Sequence, residues 1–289
     1  MPKEYIAGVS FADDVAQVAV LKIKKNEILV VYLEEFKDGK TGGLWFLESL
    51  LAKRKTIFKK VHKVSIALDS SSVFMHLFPM DSSLNQVEQN VHVQWELSNF
   101  IPAFNPKEYI NDVHVLRTHA QEHVLDMFVV STQKLNIFRM QELLRENKYE
   151  LHIVDTNHLC GQYSLLVNYP EVKASNVVLS AVGQKRVDIG ILRHGRLHDY
   201  HYCLCSSPED AVRSIEEYMV EHRDHGLYMY GNGMISDVMN ELSKHSEITA
   251  TKLNPFRRLP ISSSFREFNM FVGQEHRFAA CIGVALRKE

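Results

Sequence analysis

The densest run of side chains able to do chemistry is His198-x-x-His201-x-Cys203-x-Cys205, a composition that invites a soft metal ion. Strand alternation puts His201, Cys203 and Cys205 on one face and His198 on the other. Same-face neighbours on a straight strand stand roughly 7 Å apart, whereas zinc–sulfur bonds are about 2.3 Å long. The expectation is therefore buried cysteines beside exposed histidines and no metal site. His222 and His225 fall at a helix end, where imidazoles commonly serve as C-terminal cations, and Cys160 and Cys281 fall on helices and read as core. A second set bears on phosphate. Asp13 and Asp14 follow the first strand, Gly183 is followed by Lys185 and Arg186, and Gly231-Asn232-Gly233 joins a strand to a helix in the manner that can admit a nucleotide. Lys185 and Arg186 read first as exposed cations at a hairpin turn. No G-x-S-x-G, H-E-x-x-H or P-loop is present. A third set, Trp95, Phe100, Ile101, Pro102 and Phe104, gathers large apolar groups around a helix end. Core is the plain reading for Trp95 and Ile101; a docking groove is the functional one.

The elements that must position these groups follow a duplicated pattern. Val177 to Tyr202 reads as three strands joined by tight turns, and Tyr5 to Leu33 echoes it, with Lys25-Asn26 matching His194-Gly195. One such module in each half predicts a two-lobed α/β fold of mixed sheets with a cleft between the lobes. Between the modules, residues 37–43 form a polar loop. A helix through Leu44, Leu47, Leu50 and Leu51 ends in the basic run 53–60. Strands follow at Val64 to Leu68 and Val73 to Phe78. Ser83 with Gln86 then forms a capping box for a helix turning Leu84, Val87, Val91 and Leu97 inward and closed by Pro102. Strands near Tyr109 to Leu116 and Val124 to Val130, a helix Leu135 to Glu146, a strand Leu151 to Val154 and a helix near Asn157 to Leu166 complete the first half. Ser207, Pro208, Glu209 and Asp210 open a helix that runs to His225. A closing helix spans Gly273 to Arg287, its Ala279, Ala280 and Gly283 permitting close packing.

Composition narrows the class. The 289 residues are 45% hydrophobic and 24% charged, the balance of an ordinary globular chain. A formal net charge of -2 offers no broad positive field for nucleic acid. No apolar run approaches the roughly 20 residues of a membrane span, and MPKEYIAGVS enters a strand pattern directly, so direct membrane insertion is not expected. Four cysteines without a framework spacing suit a cytoplasmic location.

Several stretches resemble the type IV pilus assembly PilM family, relatives of the cell-division protein FtsA in the actin-like ATPase superfamily. IAGVSFADDVAQVAVL stands where that family has its first phosphate loop, and VSIALDSSSVFMHLFPM resembles its following strand pair. VQWELSNFIPAFNPKEYINDVHVL resembles its helix, Ile-Pro and strand, LYMYGNGM its adenosine-side glycine loop, LNPF its late loop, and AACIGVALR its last helix. The length also resembles that of an uncharacterised bacterial family with this fold. The resemblance implies an actin-like, ribonuclease H-like fold with a reduced second lobe. Residues 1–155 would form the first lobe with a subdomain near 62–130, completed by 273–287, and residues 156–271 the second.

Departures from the family bear on activity. Each of its phosphate loops opens with Asp-X-Gly, a carboxylate that orients magnesium or water and a glycine that lets backbone N–H groups approach phosphate. Here the first reads Ser10-Phe11-Ala12 followed by two acids, and the second Ala181-Val182-Gly183. The resemblance with these losses implies a pseudo-ATPase with no catalytic residues and no cofactor, an adaptor that binds a protein partner such as a cytoplasmic segment of a membrane protein. The docking residues would be Trp95, Phe100, Ile101 and Phe104. The alternative is a nucleotide-binding ATPase with displaced acids Asp13, Asp14 or Asp188. ATP and magnesium would then be held by Gly183, Lys185, Gly231 and Gly233. An enzyme with a metal at the His201 region ranks last.

Overall fold

The computed structural model describes residues 4–24, 27–37, 43–53, 58–233, 235–245 and 248–288. The Lys25-Asn26 turn, residues 38–42 of the polar loop and residues 54–57 of the basic run lie outside the described residues. In chain order the first half holds β1 (Glu4–Ala12), β2 (Val15–Lys24), β3 (Glu27–Lys37), α1 (Gly43–Lys53), β4 (Lys63–Leu68), β5 (Phe74–Asp81), α2 (Gln86–Phe100), β6 (Tyr109–His119), β7 (Val124–Gln133), α3 (Lys134–Glu146), β8 (Glu150–Thr156) and α4 (Asn157–Asn168). The second half holds β9 (Asn176–Val182), β10 (Arg186–Arg193), β11 (Arg196–Leu204), α5 (Pro208–Met219), β12 (Gly226–Tyr230), α6 (Ile235–His245), β13 (Ala250–Lys252) and α7 (Ala279–Leu286).

The two hairpin modules found in the sequence fall in separate five-stranded sheets, ordered β3-β2-β1-β4-β8 and β11-β10-β9-β12-β13. Each is a three-stranded meander extended by two parallel strands, the same order twice. Central strands β1 and β9 are buried along most of their length, which is why they read as continuous apolar runs, whereas edge strand β3 buries only Val30 and Leu33. The β10–β11 turn has His194 and Gly195 at φ 51° and 77°, the paired left-handed geometry whose twist matches its flanking strands.

A three-stranded sheet, β5-β7-β6, forms the subdomain on the first lobe, with α2 packed on β5. Its core comprises Phe78, Met80, Val93, Leu97, Met127 and Val129. Here α2 is turned relative to the sequence reading. Val93 and Leu97 point inward, while Val87 and Val91 are 71% and 62% exposed. The capping box also sits two residues later. Ser83 N–H is already taken by Asp81, so Asn85 caps Val87 and Glu88, and Glu88 returns a bond to the Asn85 N–H.

The closing helix is shorter than the small-residue pattern suggests. Residues 266–271 and 275–278 are 3-10 turns, and α7 proper is Ala279–Leu286, all eight residues buried. It lies against β1 and β4 on one side and α4 on the other. A Cβ on Gly8 would fall on the carbonyl oxygen of Cys281, and one on Gly283 on that of Cys160, so backbone meets backbone at both crossings. Residues 256, 259 and 265, in the range the sequence reading assigns to the second lobe, pack instead on Ile6, Leu21, Val30 and Leu33 of the first sheet. Val30 exchanges backbone hydrogen bonds with Pro260 and Ser262 there, covering the β3 edge. Toward the other end, α5 stops at Met219 and a 3-10 turn follows, so His222 and His225 do not cap it. Their rings stack at 4.9 Å, and burial holds the His225 pKa down, against a role as a helix-end cation.

Because the α7 crossings leave no room for a methyl group, Gly283→Ala should destabilise the protein by about 1–3 kcal/mol, the usual cost of overpacking. Urea denaturation of the variant beside wild type measures it; an unchanged midpoint would show that the crossing yields.

Candidate functional site

The β1–β2 and β9–β10 turns face each other across a cleft of about 360 Å³ between the lobes. Asp13, in the first turn, adopts φ 55°, a left-handed conformation that acids tolerate better than most side chains. Its N–H donates to Asp69 Oδ2 at 2.9 Å, and its own Oδ2 accepts the Gln184 backbone N–H, also at 2.9 Å. Beside this bond Gln184 Nε2 donates to Asp14 Oδ1 at 2.9 Å. Burial pushes the Asp13 carboxyl above its usual range, the Gln184 N–H works against the rise, and the charges of Asp69 and Asp14 add to it.

The glycines of the candidate phosphate set are engaged with the chain itself. Gly183 N–H donates to Arg186 O at 2.8 Å, Gly233 N–H to Val182 O at 2.8 Å, and Gly231 N–H to His276 O at 3.4 Å. A Cβ on Gly233 would fall on the carbonyl oxygen of Gly183. Glycine is thus required here for the join between β12 and the hairpin. Lys185 lines the cleft at the exposed end of its turn. Arg186 differs from the sequence reading. It is not a free cation, since Nε and Nη2 reach Asp188 Oδ1 at 2.9 and 2.8 Å, Nη2 also bonds the Tyr200 hydroxyl, and the guanidinium lies 3.9 Å from the Tyr202 ring centre.

Register shows which side chains pair across each hairpin. Ser10 pairs with Gln17 in the first, Ala181 with Asp188 in the second. Ser10 Oγ donates to Gln17 Oε1 at 3.0 Å, and Gln17 Nε2 reaches Asn232 Oδ1 at 2.7 Å and Glu35 at 3.3 Å. This network therefore ties the first hairpin to the glycine join of the second lobe. Asp188 is 5% exposed and accepts from Arg186 and, at 2.5 Å, from Tyr200. Gln17, Asp69 and Asn157, which line the cleft, and Gln184 and Tyr200, which bond its acids, are residues that the sequence reading missed. Gln17 and Tyr200 were accessible from hairpin register; the others are set by contacts far apart in the chain.

At the cleft floor Asn157 Nδ2 donates to Phe11 O at 2.6 Å, and the Tyr230 hydroxyl to Asn157 O at 2.9 Å. His158, on the next helical position, is fully buried against Tyr200 with ring centres 5.3 Å apart. Burial lowers its pKa to about 4, partly opposed by Asp188.

The His198 to Cys205 run is not arranged as a straight strand would arrange it. The chain leaves β11 at Leu204, and the Cys203 and Cys205 sulfurs come within 3.6 Å. His201 stacks on Tyr218, with ring centres 5.8 Å apart. Burial pushes the Cys205 thiol up to about 12. No three His, Cys, Asp or Glu side chains gather for a metal ion among the described residues. Cys160 and Cys281 are fully buried.

Of the aromatic set, Trp95 and Phe100 are 56% and 52% exposed, against the core reading for Trp95. Ile101 and Phe104 are half-buried against the subdomain core, Phe104 with its ring 5.0 Å from Tyr109. Ile101 also lines a hollow of about 520 Å³ with Phe74, Tyr109 and Tyr202.

Two sheets of one strand order, facing hairpins and a cleft between them define an actin-like ATPase fold. The chain belongs to the family of the type IV pilus assembly protein PilM, whose model matches residues 22–200. Among solved structures it is similar to that of a PilM–PilN type IV pilus biogenesis complex, at 15% identity and TM-score 0.76, covering 98% of each chain. A Bacteroides thetaiotaomicron protein with actin-like ATPase fold matches at 15% identity and TM-score 0.57, over 87% of this chain and 91% of the other. The cytoplasmic domain of EpsL, an inner membrane component of the Vibrio cholerae type II secretion system, matches at 9% identity and TM-score 0.50, over 91% and 100%. No curated protein matches the sequence significantly.

The buried neutral imidazoles set an acid limit. His158 and His276 both have folded pKa values lowered to about 4, below the 6.5 of an unfolded histidine. The unfolded chain binds more protons between these values, so stability is full above pH 6.5 and is lost as pH falls through 4. The loss from His158 alone is on the order of 3 kcal/mol. Urea midpoints should fall between pH 7 and pH 4.5, and His158→Leu should flatten that fall; an equal slope in the variant would place the titration elsewhere.

Proposed function

We propose that this chain is a non-hydrolysing actin-like adaptor that binds a protein partner at a membrane-associated pilus or secretion assembly, from the cytoplasmic side. The observation that carries the reading is the direct bonding of the two facing turns to each other. Phosphoryl transfer on this fold depends on metal ligands, a positioned water and backbone donors aimed at phosphate. Here the family's acid positions hold Ser10 and Ala181. Of the three displaced acids, Asp13 and Asp14 bond Gln184, and Asp188 bonds Arg186 and Tyr200. Gly183, Gly231 and Gly233 spend their N–H groups on protein carbonyls. ATP and magnesium would have to displace these bonds.

Family membership and two similar structures, one of a PilM–PilN complex and one of a cytoplasmic domain of a membrane component, support a protein partner with a membrane-bound part. No described helix is long and apolar enough to cross a membrane itself. The docking surface proposed is the subdomain edge, where exposed Phe100 lies 6.0 Å from Phe74 and Phe74 lines the hollow reached by Ile101. This hollow adjoins a second of about 430 Å³, lined by Phe11, Leu44, Phe46, Leu68 and Met140, the two sharing Ser71, Ser72, Thr132 and Asn136. An extended segment laid along both would bury apolar side chains at successive positions.

Purified protein should release no phosphate from magnesium-ATP above the buffer rate. Turnover abolished by Asp13→Ala, Asp14→Ala or Asp188→Ala would establish the displaced-acid ATPase instead. For the surface, calorimetry with cytoplasmic segments of membrane proteins encoded beside this gene should find a binder. Affinity should drop about tenfold or more in Phe100→Ala, at an unchanged melting temperature. Phe104→Ala is a poorer probe, because its contacts with Tyr109 and the subdomain core add a stability loss. Binding insensitive to Phe100 would move the docking site elsewhere.

A further inference from the structure

The second hairpin turn, Gly183 to Arg186, leaves the Gln184 N–H to point across the cleft, and an oxygen of the first lobe receives it. We propose that this turn is an oxyanion-binding site whose ligand is the chain's own Asp13, an internal carboxylate that fastens the lobes together and keeps free phosphate out. The proposal rests on the non-hydrolysing reading and gives it a physical agent.

Five observations carry it. Asp13 Oδ2 accepts the Gln184 N–H at 2.9 Å across 171 positions of sequence, so the bond belongs to the tertiary structure and not to a local turn. The same oxygen lies 3.5 Å from where a Gly183 Cβ would stand, so the carboxylate rests against the face of the turn that glycine leaves open. The Asp13 backbone takes a left-handed φ of 55°, and its N–H is anchored by Asp69, so the side chain is aimed from a fixed base. Gln184 Nε2 bonds Asp14, which makes the contact two-stranded and sets its direction. Lys185 supplies the nearby positive charge an oxyanion needs and is among the charges acting on Asp13. Tethering matters as much as geometry. A carboxylate held in the same molecule competes at an effective concentration in the millimolar range or above, so a free anion at ordinary concentration is displaced by it.

Asp13→Gly is the direct test, because glycine takes φ 55° without the steric cost that aspartate bears there. Melting curves are recorded for wild type and variant in sodium formate, sodium phosphate or sodium chloride at matched ionic strength. Formate or phosphate should raise the variant's melting temperature by a few degrees over chloride and leave wild type unmoved. The formate arm reports a site for carboxylates, the phosphate arm one for phosphate. Asp13→Asn, which keeps the position filled, should show no gain. If neither anion moves the glycine variant more than wild type, the oxyanion site is overturned while the adaptor reading stands. If phosphate or magnesium-ADP raises wild type as much as the variant, the turn is open to free phosphate, and both the internal ligand and the closed-cleft reading fail. Hydrogen exchange on the unaltered protein gives a check that needs no variant. The Gln184 amide, at an exposed turn, should exchange many-fold more slowly than the free-chain rate, and exchange at that rate would remove the bond on which the proposal stands.

Discussion

Backbone packing around α7 is the constraint on which the rest of the structure depends. The helix is buried on every side, and it reaches β1 at Gly8 and α4 at Gly283, so the carbonyls of Cys281 and Cys160 lie where side chains would otherwise be. A helix seated so closely fixes the separation of its neighbours to a few tenths of an ångström, since neither carbonyl can rotate aside as a side chain can. Through α4 and the shared cluster of Ala67, Cys160, Leu165, Leu179, Tyr230 and Val284, that seating reaches β4 of the first sheet and β9 and β12 of the second. The two lobes therefore have a common core beneath the cleft.

Polar bonding at the cleft mouth adds to this apolar floor. Asp13 and Asp14 meet Gln184, and Gln17 meets Asn232. Each is a modest interaction by itself, on the order of 1 kcal/mol. Together they join the lobes where a fold of this kind otherwise presents backbone donors to a ligand. An uncharged Ser10 beside Gln17 suits this arrangement, because a buried, unpaired carboxylate there would be costly to desolvate. The acid that does remain buried, Asp188, is matched by the Arg186 guanidinium and the Tyr200 hydroxyl.

The subdomain has a different character. Its helix α2 buries only Val93 and Leu97 and shows Val87, Val91 and Trp95 on one outward stripe. Large apolar groups are also exposed elsewhere, Leu204 and Met270 among them, so the stripe is one of several apolar surfaces of the chain.

The sequence by itself determined the repeated strand modules, because period-two alternation and turn residues are local properties that the chain carries wherever it folds. It also determined that Ser10 and Ala181 stand where the resemblance implies acids. Helix orientation was less legible. On α2 the apolar residues occupy two faces, and only the position of β5 and β7 decided that Val93 went inward while Val91 stayed out. The Cys203–Cys205 approach depended on where β11 ends, which spacing alone does not reveal. Tertiary structure decided the bonding of Asp13 to Gln184, since two residues 171 positions apart are brought together by nothing local. What the sequence shows as two acids after the first strand includes, in the folded chain, a carboxylate that accepts a hydrogen bond from the turn facing it. The physical reason is that a side chain's type is fixed by the sequence, while its partner is fixed by the packing of the whole.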